Sequence, residues 1–356
     1  MSAEIRSRSR FRESVSLISA SLRLVVGLLA YALSGRTPAF AYQSLIRLFA
    51  LTSGHSNDFL AKAIGFFRRP YPIDGFEGIL GFRSRSDLDR AVAQLAERGY
   101  CVFDRQLPAD LCERLHQFAL TRNCRPRATD SQAAAPDLEP GVYPRSSPTS
   151  IIYDFAPHDL INSEAVQELM ADRSINALAE AYLNAKPVLD TVNMWWTTAY
   201  SSKPDRAAAQ LYHFDMDHIR WVKIFIYLTD MTTEAGPHCF VAGTHRSGTI
   251  PQRFLSQGYA RLSDSDIAAS FPARDVIEFL GKRGTIIVED TRGLHKGKPA
   301  LRGDRLMFEL EFSNSLFGAV LPGRGELTVL HRPEFALFAG KHRRIFSRWI
   351  GARTPL

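Results

Sequence analysis

Leu211–Asp230 reads LYHFDMDHIRWVKIFIYLTD. In its second half Val222, Ile224, Ile226 and Leu228 alternate with Lys223, Phe225, Tyr227 and Thr229. That period of two, with a β-branched and aromatic bias, predicts a strand. The first half crowds His213, Asp215, Asp217 and His218 onto the approach to that strand. His213 and Asp215 lie two apart on extended backbone, so their side chains point the same way. An imidazole beside a carboxylate supplies two metal ligands, and a third has to come from elsewhere.

The surroundings set the fold class. Beyond residue 186 the pattern is of strands: PVLDTVNMWWTTAY, AQLYHF, WVKIFIYLT, HCFVAG, GTIIVED and RLMFELEFS. Turns separate them and no helix intervenes between each pair. This predicts a mainly β chain with flanking helices, an antiparallel barrel or jelly roll rather than a doubly wound sheet. His295 follows the GTIIVED strand and offers the third ligand. Two histidines and a carboxylate on one face leave three coordination positions open, the donor set of non-haem Fe(II) oxygenases. Arg305 comes ten residues later, at the head of an apolar strand. Its rigid fork can hold a carboxylate through two parallel hydrogen bonds. 2-Oxoglutarate has the matching shape, a keto-acid end that chelates iron and a distal carboxylate. Arg302, in the LRGD turn, is expected to face solvent.

At these residues the chain resembles a known family. YHFDMDHIRWVKIFIYLTDMTTEAGPHCFVAGTHRSG and LHKGKPALRGDRLMFELEFS are similar to the motifs of the phytanoyl-CoA dioxygenase (PhyH-like) family of Fe(II)/2-oxoglutarate-dependent oxygenases. Thr244 stands where that family's closing motif commonly has Ser. LAERGYCVFDRQLPADLCERL resembles its N-terminal strand and helix, so the likeness covers about residues 85–315. The resemblance implies a double-stranded β-helix (cupin-like barrel), Fe(II) on His213, Asp215 and His295, and Arg305 on 2-oxoglutarate, with O2 as co-substrate. Lys223, on the strand after the HxD motif, is expected to approach the co-substrate as well. With Asp215 present no ligand position is vacated for a halide, so hydroxylation is expected, with release of succinate and CO2. Trp195, Trp196, Asn193 and Asp217 are expected to line the substrate pocket. His238 and His245 belong to the turn motif and are read as structural or substrate-lining.

Three zones follow: 1–75, an N-terminal helical extension; 76–330, the dioxygenase domain; and 331–356, a basic amphipathic C-terminal helix. Residues 1–75 read as helices stopped by RRPYP; the alternative for the first of them is a signal peptide, with AFA at 39–41 resembling a cleavage site. The apolar run there includes Arg23 and several serines, which argues against a bilayer span. RSRSDLDRAVAQLAERGYCVFDRQLPADLCERLHQFAL reads as helix, strand, helix, and residues 163–171 and 173–183 as two further helices. Residues 125–150, rich in Pro, Ser and Ala, read as a long loop, either a lid or disordered. In FALFAGKHRRIFSRWI, Phe338, Ile345, Phe346 and Trp349 share a helical face, expected to dock on the barrel.

Four cysteines in no paired spacing argue against a disulfide framework or structural zinc and for a reducing, cytoplasmic setting. The net charge of +7 sits at the ends: residues 1–36 carry six Arg against two acids, and 331–356 six Lys/Arg against one. The middle is slightly acidic, so nucleic acid is not expected as a partner. A small-molecule or lipid-like substrate is expected, with peripheral membrane contact through the terminal helices. Two other readings stay open: a non-catalytic binding protein on the same fold, and a cupin-like metalloenzyme that does not use 2-oxoglutarate.

Overall fold

The computed structural model describes residues 3–130, 139–258, 261–320 and 325–355. Three helices open the chain: α1 (Ala3–Ser34), α2 (Ala39–Leu51) and α3 (His55–Phe67). Then come α4 (Arg85–Arg98), β1 (Tyr100–Phe103), α5 (Ala109–Thr121), β2 (Asn123–Pro126), β3 (Gly141–Val142) and β4 (Ile152–Phe155). Helices α6 (Pro157–Ile161), α7 (Glu164–Ala171) and α8 (Arg173–Leu183) lead into the strand-rich half. That half holds β5 (Val188–Thr198), β6 (Trp221–Tyr227), β7 (His238–Val241), α9 (Gln252–Leu255), α10 (Asp264–Ala268), β8 (Val276–Glu278), β9 (Ile286–Glu289), β10 (His295–Gly297) and β11 (Asp304–Ser313). Helix α11 (Pro333–Lys341) comes last.

The strands form two antiparallel sheets, one of eight in the order β1-β9-β6-β11-β5-β4-β2-β3 and one of three in the order β10-β7-β8. The period-two pattern of β6 explains the layering. Val222, Ile224 and Ile226 face outward with Val288, Leu306, Phe308, Leu310 and Trp196 into the main core against the helices. Lys223, Phe225 and Tyr227 face inward, toward the smaller sheet. The fold is the mainly β, cupin-like one expected from the strand pattern.

The helix–strand–helix opening of the domain forms as its signals predict. Ser84 and Asp87 make a capping box on α4. Gly99 closes α4 in the left-handed region at φ 88°. A Cβ there would lie 2.6 Å from His245 Nδ1, so only glycine lets this turn sit against the His245 loop.

Several expectations need correction. The strand expected in AQLYHF is reduced to isolated bridges, Tyr212 to Leu262 and His213 to His295. The expected loop at 125–150 includes part of β2 and all of β3, while 131–138 lies outside the described residues. The C-terminal helix ends at Lys341, and turns follow. Ile345, Phe346 and Trp349 are buried in the main core, and Trp349 Nε1 donates to Leu189 O at 2.8 Å. Those three side chains are therefore spent on the sheet. All four cysteines are buried and free.

Candidate metal centre

His213 and His295 face each other across an antiparallel bridge, with His213 N to His295 O at 2.9 Å and the reciprocal bond at 2.8 Å. Directly opposed residues on such a pair project to the same side. Asp215, two residues on, shares that side and is fixed by its N–H to Thr291 O at 2.9 Å. The result is one ligand atom from each of His213, Asp215 and His295, all within 4.8 Å of one another.

The tautomers are set by the backbone. His213 Nδ1 lies 2.9 Å from Leu211 O, and His295 Nδ1 lies 2.9 Å from Gly293 O. Each Nδ1–H donates to a carbonyl, which leaves each Nε2 lone pair for a metal. Burial pushes the His295 pKa down to about 4, and burial with the His295 neighbour pushes His213 well below its ordinary value. Both rings are therefore neutral at neutral pH. Burial opposes ionisation of Asp215, but Lys223 and the two histidines outweigh it and hold the carboxyl well below the usual range. Two neutral imidazoles and one carboxylate with no hydrogen bond among them fit Fe(II).

Lys223 sits beside the triad. Its Nζ is 2.9 Å from Asp215 Oδ2, 3.1 Å from Glu311, 3.6 Å from Asp217 and 3.7 Å from Glu309. Strand register explains this: Lys223 lies between Glu289 on β9 and Glu311 on β11, and Glu309 pairs with Phe225 and Asn193. Beyond Lys223 a second cavity of about 210 Å³ is lined by Asn193, Asp217, Lys223, Glu309, Glu311 and Arg348 among others.

The triad opens on a cavity of about 230 Å³. Arg305 lies at its wall, buried, with Nη2 donating to Thr197 Oγ1 at 3.1 Å and Nη1 to Gly236 O. Its Nε has no partner, and no carboxylate among the described residues pairs with it. Gly297 leaves room beside it, since a Cβ there would stand 3.1 Å from Arg305 Nη2. Arg302 is 80% exposed, as expected.

The remaining sequence candidates divide. Trp195 and Asn193 line the triad cavity, and Asp217 lines the neighbouring one. Trp196 does not line either. Adjacent strand residues point to opposite faces, so it is buried in the helix-covered core, stacked on Tyr143 with centroids 4.9 Å apart. His245 bonds Ala96 O at 3.0 Å. His218 completes a second buried set, its Nε2 3.0 Å from Asp190 Oδ2, with Glu311 alongside. Asp190 reaches it because it is the extra residue of a bulge, where Glu311 pairs with Thr191 and Phe312 with Leu189.

Sequence reasoning missed Glu289, Glu309, Glu311 and the pairing of His238 with Glu289 at 3.0 Å. One signal was present: Glu309 and Glu311 alternate with apolar residues in RLMFELEFS, in phase with Arg305.

The family model for phytanoyl-CoA dioxygenase (PhyH) matches residues 95–304. The chain belongs to this family. Its members are Fe(II)/2-oxoglutarate-dependent oxygenases, and Fe(II) and 2-oxoglutarate are the metal and co-substrate that go with a PhyH chain. No curated protein matches it in sequence. Among solved structures, the non-haem α-ketoglutarate-dependent epimerase SnoN from nogalamycin biosynthesis is 15% identical, with a TM-score of 0.46 over 64% of this chain and 84% of its own. HygX from Streptomyces hygroscopicus, solved with nickel, 2-oxoglutarate and hygromycin B, is also 15% identical, with a TM-score of 0.46 over 66% and 91%. AviO1 from Streptomyces viridochromogenes Tue57 is 17% identical, with a TM-score of 0.43 over 67% and 99%. Membership in the PhyH family rests on the family match and not on these likenesses.

Proposed function

We propose that the protein is a Fe(II)/2-oxoglutarate-dependent dioxygenase that hydroxylates a C–H bond of a small, polar molecule. The observation that carries this is one cavity holding both the convergent His213–Asp215–His295 set and the buried, carboxylate-free Arg305. A metal-binding donor set without 2-oxoglutarate would give a buried guanidinium no function there, and an unpaired buried cation is costly to keep.

In this reading His213 and His295 offer Nε2 and Asp215 offers a carboxylate oxygen to Fe(II). Lys223 holds Asp215 Oδ2 at 2.9 Å and so favours binding through the other oxygen. Arg305 takes the distal carboxylate of 2-oxoglutarate with its free Nε–H and the Nη2 hydrogen that Thr197 does not use. The iron and its co-substrate supply, when bound, the oxidising power to remove hydrogen from an unactivated C–H bond, with succinate and CO2 released. Trp195 and Asn193 bound the space in which substrate is oriented. The charged lining of the adjoining cavity supports a polar substrate over an acyl chain.

The test is anaerobic. Apo-protein is titrated with Fe(II), then with 2-oxoglutarate, and the weak visible charge-transfer band of the chelate is followed. The band is expected in the wild type and absent in His295→Ala. Iron binding with no band would refute the assignment of 2-oxoglutarate. Once substrate is found, a product carrying one added oxygen atom supports hydroxylation, while a product of unchanged oxygen content refutes it.

A further inference from the structure

Helix α1 presents an apolar surface that nothing among the described residues covers. Between Val15 and Ser34 its single charged residue is Arg23, and only 17% of that stretch is buried. Val15, Ile18, Leu22, Val25, Leu29 and Leu33 recur at helical spacing along the outer face, with Leu22 64%, Leu29 62% and Leu33 91% exposed. Isolated surface leucines need no explanation, but a continuous stripe of this length does. Helix α3 adds Phe59, Phe66 and Phe67, all exposed, and is followed by Arg68 and Arg69.

The inner face is already committed. Ala20 and Leu24 are buried with Leu45 and Leu48 of α2. The two helices touch so closely that a Cβ on Gly27 would lie 2.1 Å from Ala41 Cβ. The stretch is long and apolar enough to cross a bilayer by length and composition. Crossing would strip α2 from it, whereas lying flat keeps that packing and buries only the outer face.

Charge selects the occupant. Residues 1–75 contain ten Lys/Arg and four Asp/Glu, so the apolar stripe belongs to a segment of net charge +6. Two such segments would repel each other. The residues flanking the stripe, Ser19, Ser21, Val26 and Leu28, also offer no opposite charges for pairing with a second copy. An anionic headgroup layer over an acyl interior satisfies both features. We propose that α1 docks in the plane of an anionic lipid bilayer, its outer face among the acyl chains and the surrounding arginines among the headgroups.

The full chain is tested by flotation with vesicles of phosphatidylcholine and about a third phosphatidylglycerol, and with phosphatidylcholine alone. The protein is expected to float with the anionic vesicles and to bind the neutral ones at least about tenfold more weakly. Leu22→Asp with Leu29→Asp changes only exposed side chains. It is expected to lower the partition about a hundredfold while the Fe(II)–2-oxoglutarate band persists, which reports an intact fold. Failure of the wild type to float, or equal flotation of the double variant, overturns the proposal. A lipid-free dimer that the double variant dissolves, without vesicle binding, assigns the face to a second copy and also overturns it. Resistance to an alkaline carbonate wash would make α1 a spanning helix and reject the in-plane arrangement.

Discussion

Arg305→Met separates a binding role for Arg305 from a structural one, because the two predict opposite signs. Arg305 is buried with no carboxylate partner, and burial lowers its pKa. In the apo-protein the guanidinium gains two bonds to neutral acceptors and leaves Nε unsatisfied. Neutral hydrogen bonds contribute about 1 kcal/mol each, while a buried ion without a counter-ion costs several. Removing it should leave apo stability unchanged or raised by about 1–2 kcal/mol. The distal carboxylate of 2-oxoglutarate would supply the missing partner through charge-assisted bonds of about 1.5–3 kcal/mol each. Losing two such bonds weakens the co-substrate by roughly a hundredfold to ten-thousandfold. At a concentration of about 100 times the wild-type Kd, 2-oxoglutarate stabilises by about 2.7 kcal/mol, and by a few tenths at most in the variant. For a chain of this size that is a rise in Tm of about 3–4 °C against almost none. Thermal unfolding with and without 2-oxoglutarate, under argon with Fe(II), measures both quantities. A variant that keeps the 2-oxoglutarate-dependent rise, or one strongly destabilised without it, refutes the reasoning.

Three further outcomes follow from the same geometry. Lys223→Met removes the cation that, against burial, holds the Asp215 carboxyl low. The acid limb of Fe(II) binding should therefore move to higher pH, and an unchanged limb in a pH-dependent metal titration would contradict it. Burial and the Asp215 carboxylate raise the Glu289 pKa well above its ordinary 4.5, so its stability contribution is present below 4.5 and is lost as pH rises toward the folded value. Glu289→Gln keeps a partner for His238, so its Tm should exceed the wild type's by a margin that grows through that window; a constant margin counts against it. Trp196→Ala should cost about 3–5 kcal/mol in chemical denaturation. Trp195→Ala, from the half-buried cavity wall, should cost clearly less and alter substrate turnover instead; equal losses would place both rings in the core.

The convergence of His213, Asp215 and His295 was legible because its geometry is local. His213 and Asp215 share a face by the two-residue period alone, and the turn-to-strand signals around His295 and Arg305 are strong. The ring of acids around Lys223 was not, because it depends on register among β9, β6 and β11 and on the bulge at Asp190. No single-strand pattern contains that information. Strands β2, β3 and β4 hold two to four residues each and flank or lie within a Pro- and Ser-rich stretch, so their pairing is imposed by β5 rather than by propensity. The C-terminal pattern misled for a different reason. Ile345, Phe346 and Trp349 suit a helical face, yet the chain turns after His342 and inserts the same residues into the sheet's core. Arg23 and the serines argue in the sequence against a bilayer span, yet a helix can carry one arginine and remain apolar over the rest of its outer face.

The N-terminal helices bear on the metal centre through one buried network. Arg292, three residues before His295, is buried and binds Asp290 through Nε at 3.0 Å and Nη2 at 2.7 Å. Its Nη1 reaches Asp58 of α3 at 3.1 Å, and Asp58 also accepts from Ser247 at 2.6 Å. Tyr182 donates to the same Asp290 carboxylate at 2.5 Å. The turn that delivers His295 is thus held from two sides, by α8 and by α3. Breaking the buried Arg292–Asp290 pair costs about 3–5 kcal/mol, and the Asp58 arm, whose side chain is 36% exposed, contributes less. Asn57 adds a bond to Ile219 O at 3.1 Å, four residues past Asp215. An arrangement in which α3 fixes the backbone on both sides of the metal set couples the orientation of the helices to that of the site. If α1 rests on a bilayer, the cavity is presented to that surface in a fixed attitude and not on a free tether.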